Sequence, residues 1–396
     1  MIAHVHYVVK NYDLLITQIS IAWSTQLFLA SMLLSASRYS DRDWKNKMMD
    51  RTRAILERSS DRYLLSIEAH RQSVLLRNSS KLEESSHVLR AFLHSIALPE
   101  HGTDSTIDAR LSAQCGKLRN SLAENLIQAN ELAHAEEEIN KWKPLSPSSP
   151  TYMESAVLRS RNIVLGRILR FRGRFVEALP YFETLLEEAN TSEYFESTGG
   201  HQMILTNTAD LYCEMNNGLK AEELLAPMLK RMTDWGWANT NRGQRLQLSL
   251  AESFLRRGMH AKAAEIFERL KLDCKPQGRA DVATNISIFR TWAGLARISH
   301  LENDWNEASH HWREALNVIE SCGWLDGFMA SISRLSLAHI YKELGDVQQS
   351  IIMLQLARSF LDRNGPKFFW TGLGSYWYNY VERMLDNGDA PASRMA

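Results

Sequence analysis

The densest run of chemically capable side chains is Arg159, Arg161, Arg167, Arg170, Arg172 and Arg174, six arginines within 16 residues. Guanidinium groups at that density can grip phosphates or an acidic peptide, or they can pair with Glu177, Glu183 or Glu187 on adjacent helices. Histidine offers less. His310 and His311 are neighbours, so on a helix they diverge by about 100° and cannot chelate one metal. Cys115, Cys213, Cys274 and Cys322 lie 98, 61 and 48 residues apart with no CxxC pair. They signal neither a zinc site nor a disulfide framework and read as reduced, mostly buried thiols of an intracellular protein. No GxxxxGK[ST], HExxH, GxSxG or strand-bound GxGxxG occurs, so the common nucleotide, zinc-protease and hydrolase signatures are lacking and no cofactor or metal is expected. With 46 basic against 46 acidic residues, whole-molecule charge gives no reason to expect a nucleic-acid or membrane-surface partner. Any electrostatic site must be local.

The elements that would position such a site repeat along the chain. Six times a small residue is followed twelve residues later by another: Ala123/Ala135, Gly166/Ala178, Ala209/Ala221, Ala251/Ala263, Ala296/Ala308 and Ala338/Ser350, at intervals of 43, 43, 42, 45 and 42 residues. Seven residues after each first anchor, where two antiparallel helices must join, stand Asn130, Gly173, Asn216, Gly258, Asn303 and Gly345. Asn and Gly tolerate the left-handed conformation that ends a helix. Together they fill 40 of 396 positions, so six matches in six arise by chance on the order of once in a million. The strand signature of β-branched alternation is nearly absent.

These anchors resemble the tetratricopeptide repeat, a helix–turn–helix unit with small residues at its eighth and twentieth positions and aromatics at the fourth, eleventh and twenty-fourth. The best copy places Trp292, Leu295, Ala296, Ala308, Trp312 and Ala315 at positions 4, 7, 8, 20, 24 and 27. Tyr212, Phe254 and Tyr341 fall at position 11, and Phe182 and Phe267 at position 24. The units exceed the family's usual length and are similar to those of kinesin light chains and of the repeat tails of signalling ATPases. The resemblance covers about residues 105–363 and implies an all-α fold, a right-handed superhelical solenoid of antiparallel helix pairs. Asp326–Glu343 reads as one uninterrupted helix.

In such superhelices the inner surface is lined by the first helix of each unit, here called helix A, at positions 2, 5, 9 and 12. Carried onto this chain, the stripe holds Arg167, Arg170, Asp210, Arg245, Glu252, Arg290, Arg297, His300 and His339, with Glu124 and Lys342. The resemblance thus implies a charged groove for a protein or peptide partner with acidic groups, and loss of Arg290 and Arg297 is expected to weaken binding while leaving the fold intact. The two-carboxylate clamp of chaperone-binding members is not matched, since only Asn120 fits its pattern. A different class remains open: an unconventional enzyme or small-molecule-binding accessory protein of a specialised-metabolite pathway, with His300, His339, Asp210 and Glu252 lining a closed pocket as acid–base groups.

Outside the clear repeats, residues 41–104 form a helical region with a decayed unit around Leu76, Leu89 and Phe92. In residues 1–40, Leu14–Ser37 is 24 residues without a charge. That run suits either a buried helix closing the array or a membrane anchor. Residues 364–385 carry Phe368, Phe369, Trp370, Tyr376, Trp377, Tyr378 and Tyr380. They read as a capping helix or as an aromatic wall for a ligand or partner, and residues 386–396 as a disordered tail. A cytoplasmic location is expected.

Overall fold

Six left-handed residues set the architecture. The computed structural model describes residues 23–36, 42–57, 61–79, 81–96, 109–191, 200–273, 282–323, 325, 327–364 and 374–386. In it Asn130, Gly173, Asn216, Gly258, Asn303 and Gly345 have φ of 67°, 71°, 60°, 71°, 60° and 80°. Each ends its helix with the same pair of backbone hydrogen bonds. At Asn303, for example, the N–H donates to the His300 carbonyl at 3.2 Å and the next N–H donates to the Ser299 carbonyl at 2.9 Å. This is the Schellman closure, and it turns the chain back on itself within two residues. Where the following residue is Asn217, Asp304 or Asp346, its side chain then accepts the N–H three residues on, capping the second helix.

Among the described residues there are helices and no strand. The chain divides into two compact units, residues 1–161 and 162–396. The first contains α1 (Trp23–Ala36), α2 (Arg42–Leu56), α3 (Arg62–Asn78), α4 (Leu82–Ser95), α5 (Ala109–Gln128) and α6 (Leu132–Asn140), and the division falls inside α7 (Tyr152–Phe171). The second continues with α8 (Phe175–Thr191), α9 (Gly200–Glu214), α10 (Gly218–Asp234), α11 (Asn241–Arg256), α12 (His260–Asp273), α13 (Val282–Leu301), α14 (Trp305–Ser321), α15 (Phe328–Glu343), α16 (Val347–Asn364) and α17 (Gly374–Asp386). Helix α15 starts at Phe328, later than the sequence suggests, because Gly327 before it is extended at φ −155°.

The small anchors let each helix pair cross closely. All twelve are buried. A Cβ placed on Gly166 would come within 2.8 Å of the Phe182 ring, so the aromatic at position 24 occupies the space the missing side chain leaves. Where Ser350 replaces Ala, its hydroxyl donates to the Ala338 carbonyl across the crossing at 2.7 Å. The same bond joins Ser85 to the Ser73 carbonyl between α3 and α4, again twelve residues apart. The core is a chain of local clusters, each joining one helix pair to the next helix A: Ala209, Tyr212, Ala221 and Leu225 pack with Leu246, and Ala296, Ala308 and Trp312 with Leu335. Such nearest-neighbour packing is what a repeat array requires.

In the first unit, Leu29, Ala30 and Leu33 of α1 pack on Met48, Ile55, Leu56 and Leu64. The rest of the uncharged run, residues 14–22 and 37, lies outside the described residues, as do Phe368, Phe369, Trp370 and 387–396. No helix among the described residues is long and apolar enough to cross a membrane.

Candidate functional site

The stripe residues of the second unit fall on its A helices, α7, α9, α11, α13 and α15. Arg170, Asp210, Glu252, Arg290, Arg297, His300 and His339 are buried, and Arg167 and Arg245 are half-buried. Buried charges need partners, and these find them in one another. The Asp210 carboxylate accepts from Ser249 Oγ at 2.7 Å and from both terminal nitrogens of Arg290 at 3.1 and 3.4 Å, with Arg170 Nη2 at 3.6 Å. Arg290 lies two repeats beyond Asp210, so α13 reaches past α11 to touch α9 across the inner face.

A second network runs beside the first. Glu252 takes a two-pronged contact from Arg297, with one prong at 3.1 Å, and a third hydrogen bond from Arg256 Nε at 2.8 Å. Arg256 also places Nη2 3.6 Å from Glu214. Burial pushes the Glu252 carboxyl upward, but the two arginines outweigh it and hold the pKa at about 2. Glu214 goes the other way. Burial dominates there and raises it against the pull of Arg256 and Arg170, and its Oε1 has no hydrogen-bond partner. At the other end, burial depresses Arg170 despite Asp210 and Glu214.

Further along the inner face, His300 Nε2 and His339 Nδ1 are 2.9 Å apart and their rings stack at 5.0 Å. Trp305 and Trp377 stand edge-on to His300 at 5.4 and 5.2 Å. Burial, and then the neighbouring imidazole, press the His300 pKa down to about 3, so the pair is neutral at physiological pH.

Arg290 and Arg297 make contacts within the chain that the stripe spacing does not announce. Arg290 and Arg297, expected to be dispensable for the fold, are buried partners of Asp210 and Glu252, so removing either takes a charge-assisted contact from a buried carboxylate. The imidazoles are each other's partners and the carboxylates the arginines' partners, rather than four groups around one pocket. The arginine run is dispersed as well: Arg174 pairs with Glu177 at 2.5 Å, Arg161 bonds Asn140 at 2.6 Å, and Arg170 turns inward to Asp210. Asn120 donates to the Val157 carbonyl at 3.2 Å. His310 is exposed and His311 buried. Among the described residues, no group of three or more His, Cys, Asp or Glu is placed to hold a metal ion. The stripe rule missed Glu214 and Arg256 because it stops one residue short of them. The available signal was that each follows its small anchor by five residues, with opposite charges in adjacent units.

Comparison with known proteins bears on the fold. Residues 163–193, which take in the second half of α7 and the whole of α8, match the family model of the tetratricopeptide repeat. A crystal structure of a Rap protein complexed with competence and sporulation factor superposes with a TM-score of 0.53 at 15% identity, covering 83% of this chain and 87% of that one. A signal transduction ATPase with a tetratricopeptide repeat sensor, from Pyrococcus horikoshii, gives 0.52 at 14% identity. That match covers 97% of this chain but only 54% of the ATPase chain. No protein of curated function matches by sequence. In fold, then, the chain is tetratricopeptide-repeat-like, an all-α solenoid of antiparallel helix pairs.

Proposed function

We propose that the chain is a non-catalytic interaction scaffold whose inner face, along α7, α9, α11, α13 and α15, binds a peptide or helix of another protein. The observation that carries this reading is the charge network itself. Four arginines on the face, Arg170, Arg256, Arg290 and Arg297, meet three carboxylates, Asp210, Glu214 and Glu252, while the histidine pair is neutral. Arginines held in fixed geometry along the face suit a partner carrying acidic groups, and that rigidity lowers the cost of ordering the site on binding. Helices stacked side by side lie about 8–10 Å apart, so the face suits an extended segment better than a single reacting atom. The Rap protein solved in complex with a signalling factor lends the reading support by analogy of fold.

The test uses positions that leave the buried pairs alone. Full-length protein carrying Arg167→Glu with Arg245→Glu is compared with the outer-helix control Glu307→Ala with Glu314→Ala in quantitative capture from the native cell. Lost charge-assisted contacts of roughly 1–3 kcal/mol correspond to about ten-fold or greater loss of partner for the inner variant. Equal recovery from both variants contradicts the proposal.

A further inference from the structure

Helix α17 follows the last helix pair and also reaches onto the inner face. It packs on α15, shares a buried cluster with Ala357, Phe360 and Leu361 of α16, and pairs Glu382 with Arg358 of α16 at 2.6 Å. Trp377 also meets Trp312 of α14 at 6.1 Å, and further contacts reach the inner face. The Lys342 ammonium, on the inner stripe of α15, donates to the Leu385 carbonyl at 2.9 Å. Trp377 is fully buried, donates its indole N–H to Ser336 Oγ at 2.9 Å and meets His300 of α13 edge-on. Tyr380 stacks on Trp377 at 4.9 Å and faces the same imidazole at 6.1 Å. Three repeats back from its own place in the chain, Tyr376 lies under the Arg256 guanidinium of α11, 4.5 Å from its ring centroid.

We infer that α17 is an internal ligand: it occupies the α11–α13–α15 part of the inner face and competes there with a partner helix of the same chemistry. This rests on the reading of that face as the binding surface and adds what it binds. The seat selects an aromatic pair three residues apart on one helix face, which fits Trp377 and Tyr380 over the neutral histidine pair. One further aromatic ring lies beneath an arginine already anchored by Glu214 and Glu252. A neutral imidazole lets an indole edge approach without stranding a charge, and a cation held by two carboxylates presents its flat face to a tyrosine ring. The partner is therefore an amphipathic helix bearing an aromatic pair at i and i+3 with a third aromatic beside it. In the isolated chain its site is closed by α17. Tethering gives α17 an effective concentration in the millimolar range, so a free helix succeeds only by binding tighter or when α17 is weakened.

The experiment uses the full-length chain and a fluorescent peptide of residues 374–386. The titrated proteins are wild type, Trp377→Ala with Tyr380→Ala, and the milder Tyr376→Ala with Glu382→Ala. The milder variant loosens the contacts to α11 and α16 without emptying the core. Both variants are expected to bind the peptide about ten-fold or more tightly than wild type does, and a peptide lacking its tryptophan is expected to fail. If the first variant melts, the milder one carries the comparison. Equal binding by wild type and variant, or none by either, overturns the inference and makes α17 a fixed part of the fold. Partner capture that still depends on Arg167 and Arg245 would in that case leave the interaction reading standing. Peptide exchange without any such capture would keep the internal ligand and sink the scaffold.

Discussion

Glu252 is the residue on which most of the inner face turns. It joins Arg297 of α13 to Arg256 of its own helix, and through Arg256 the network reaches Glu214 of α9. Arg297→Met removes the two-pronged partner of Glu252 but leaves Arg256, so it is expected to cost about 1.5–3 kcal/mol in urea unfolding. Adding Glu252→Gln should cost clearly less than the sum of the two single changes; strict additivity would show that the contact is not coupled. Acid provides a second probe. His300 has its pKa lowered from 6.5 to about 3, so the unfolded chain takes up its proton first as the pH falls. The stability from the neutral pair is whole above pH 6.5 and is lost progressively toward pH 3. Glu252, held at about 2 against 4.5, adds a second loss below pH 4.5. Wild type should therefore melt at falling temperature between pH 6.5 and 4.5, and His300→Asn should flatten that first segment. Identical slopes would remove His300 from the account.

At the scale of the element, the turn residues were legible and the ion pairs were not. A left-handed turn is a local demand on one residue, and only Asn and Gly meet it cheaply, so the requirement shows in the letters themselves. Asn303→Ala should destabilise by about 1 kcal/mol while Asn303→Gly should not, measured by thermal unfolding. Equal losses from both would contradict the left-handed assignment. The close crossings were legible for the same reason. Gly166→Ala must push its methyl against Phe182, 2.8 Å away, and is expected to cost about 1–3 kcal/mol. An unchanged melting temperature would mean the ring has room to move. By contrast, whether Arg290 faces an open groove or Asp210 depends on how far successive pairs rotate. No single repeat encodes that rotation. Asp210 and Arg290 are 80 residues apart with a whole repeat between them.

On the scale of the molecule, the repeat spacing fixes an all-α array, yet it says nothing about which face the last helix takes. Aromatic residues on several sides of α17 fit an end cap as well as a groove ligand, and only the contacts of Tyr376 and Trp377 with α11 and α13 separate the two. The account's central claim is that the inner face is where another protein is held. A photo-crosslinking amino acid placed at Arg245 on α11, and in a separate protein at exposed Glu307 on α14, reports that contact directly in the native cell. A discrete adduct is expected to form from position 245 and not from position 307. Adducts from position 307 alone, or from neither position while partner is still recovered, would place the binding surface elsewhere and contradict it.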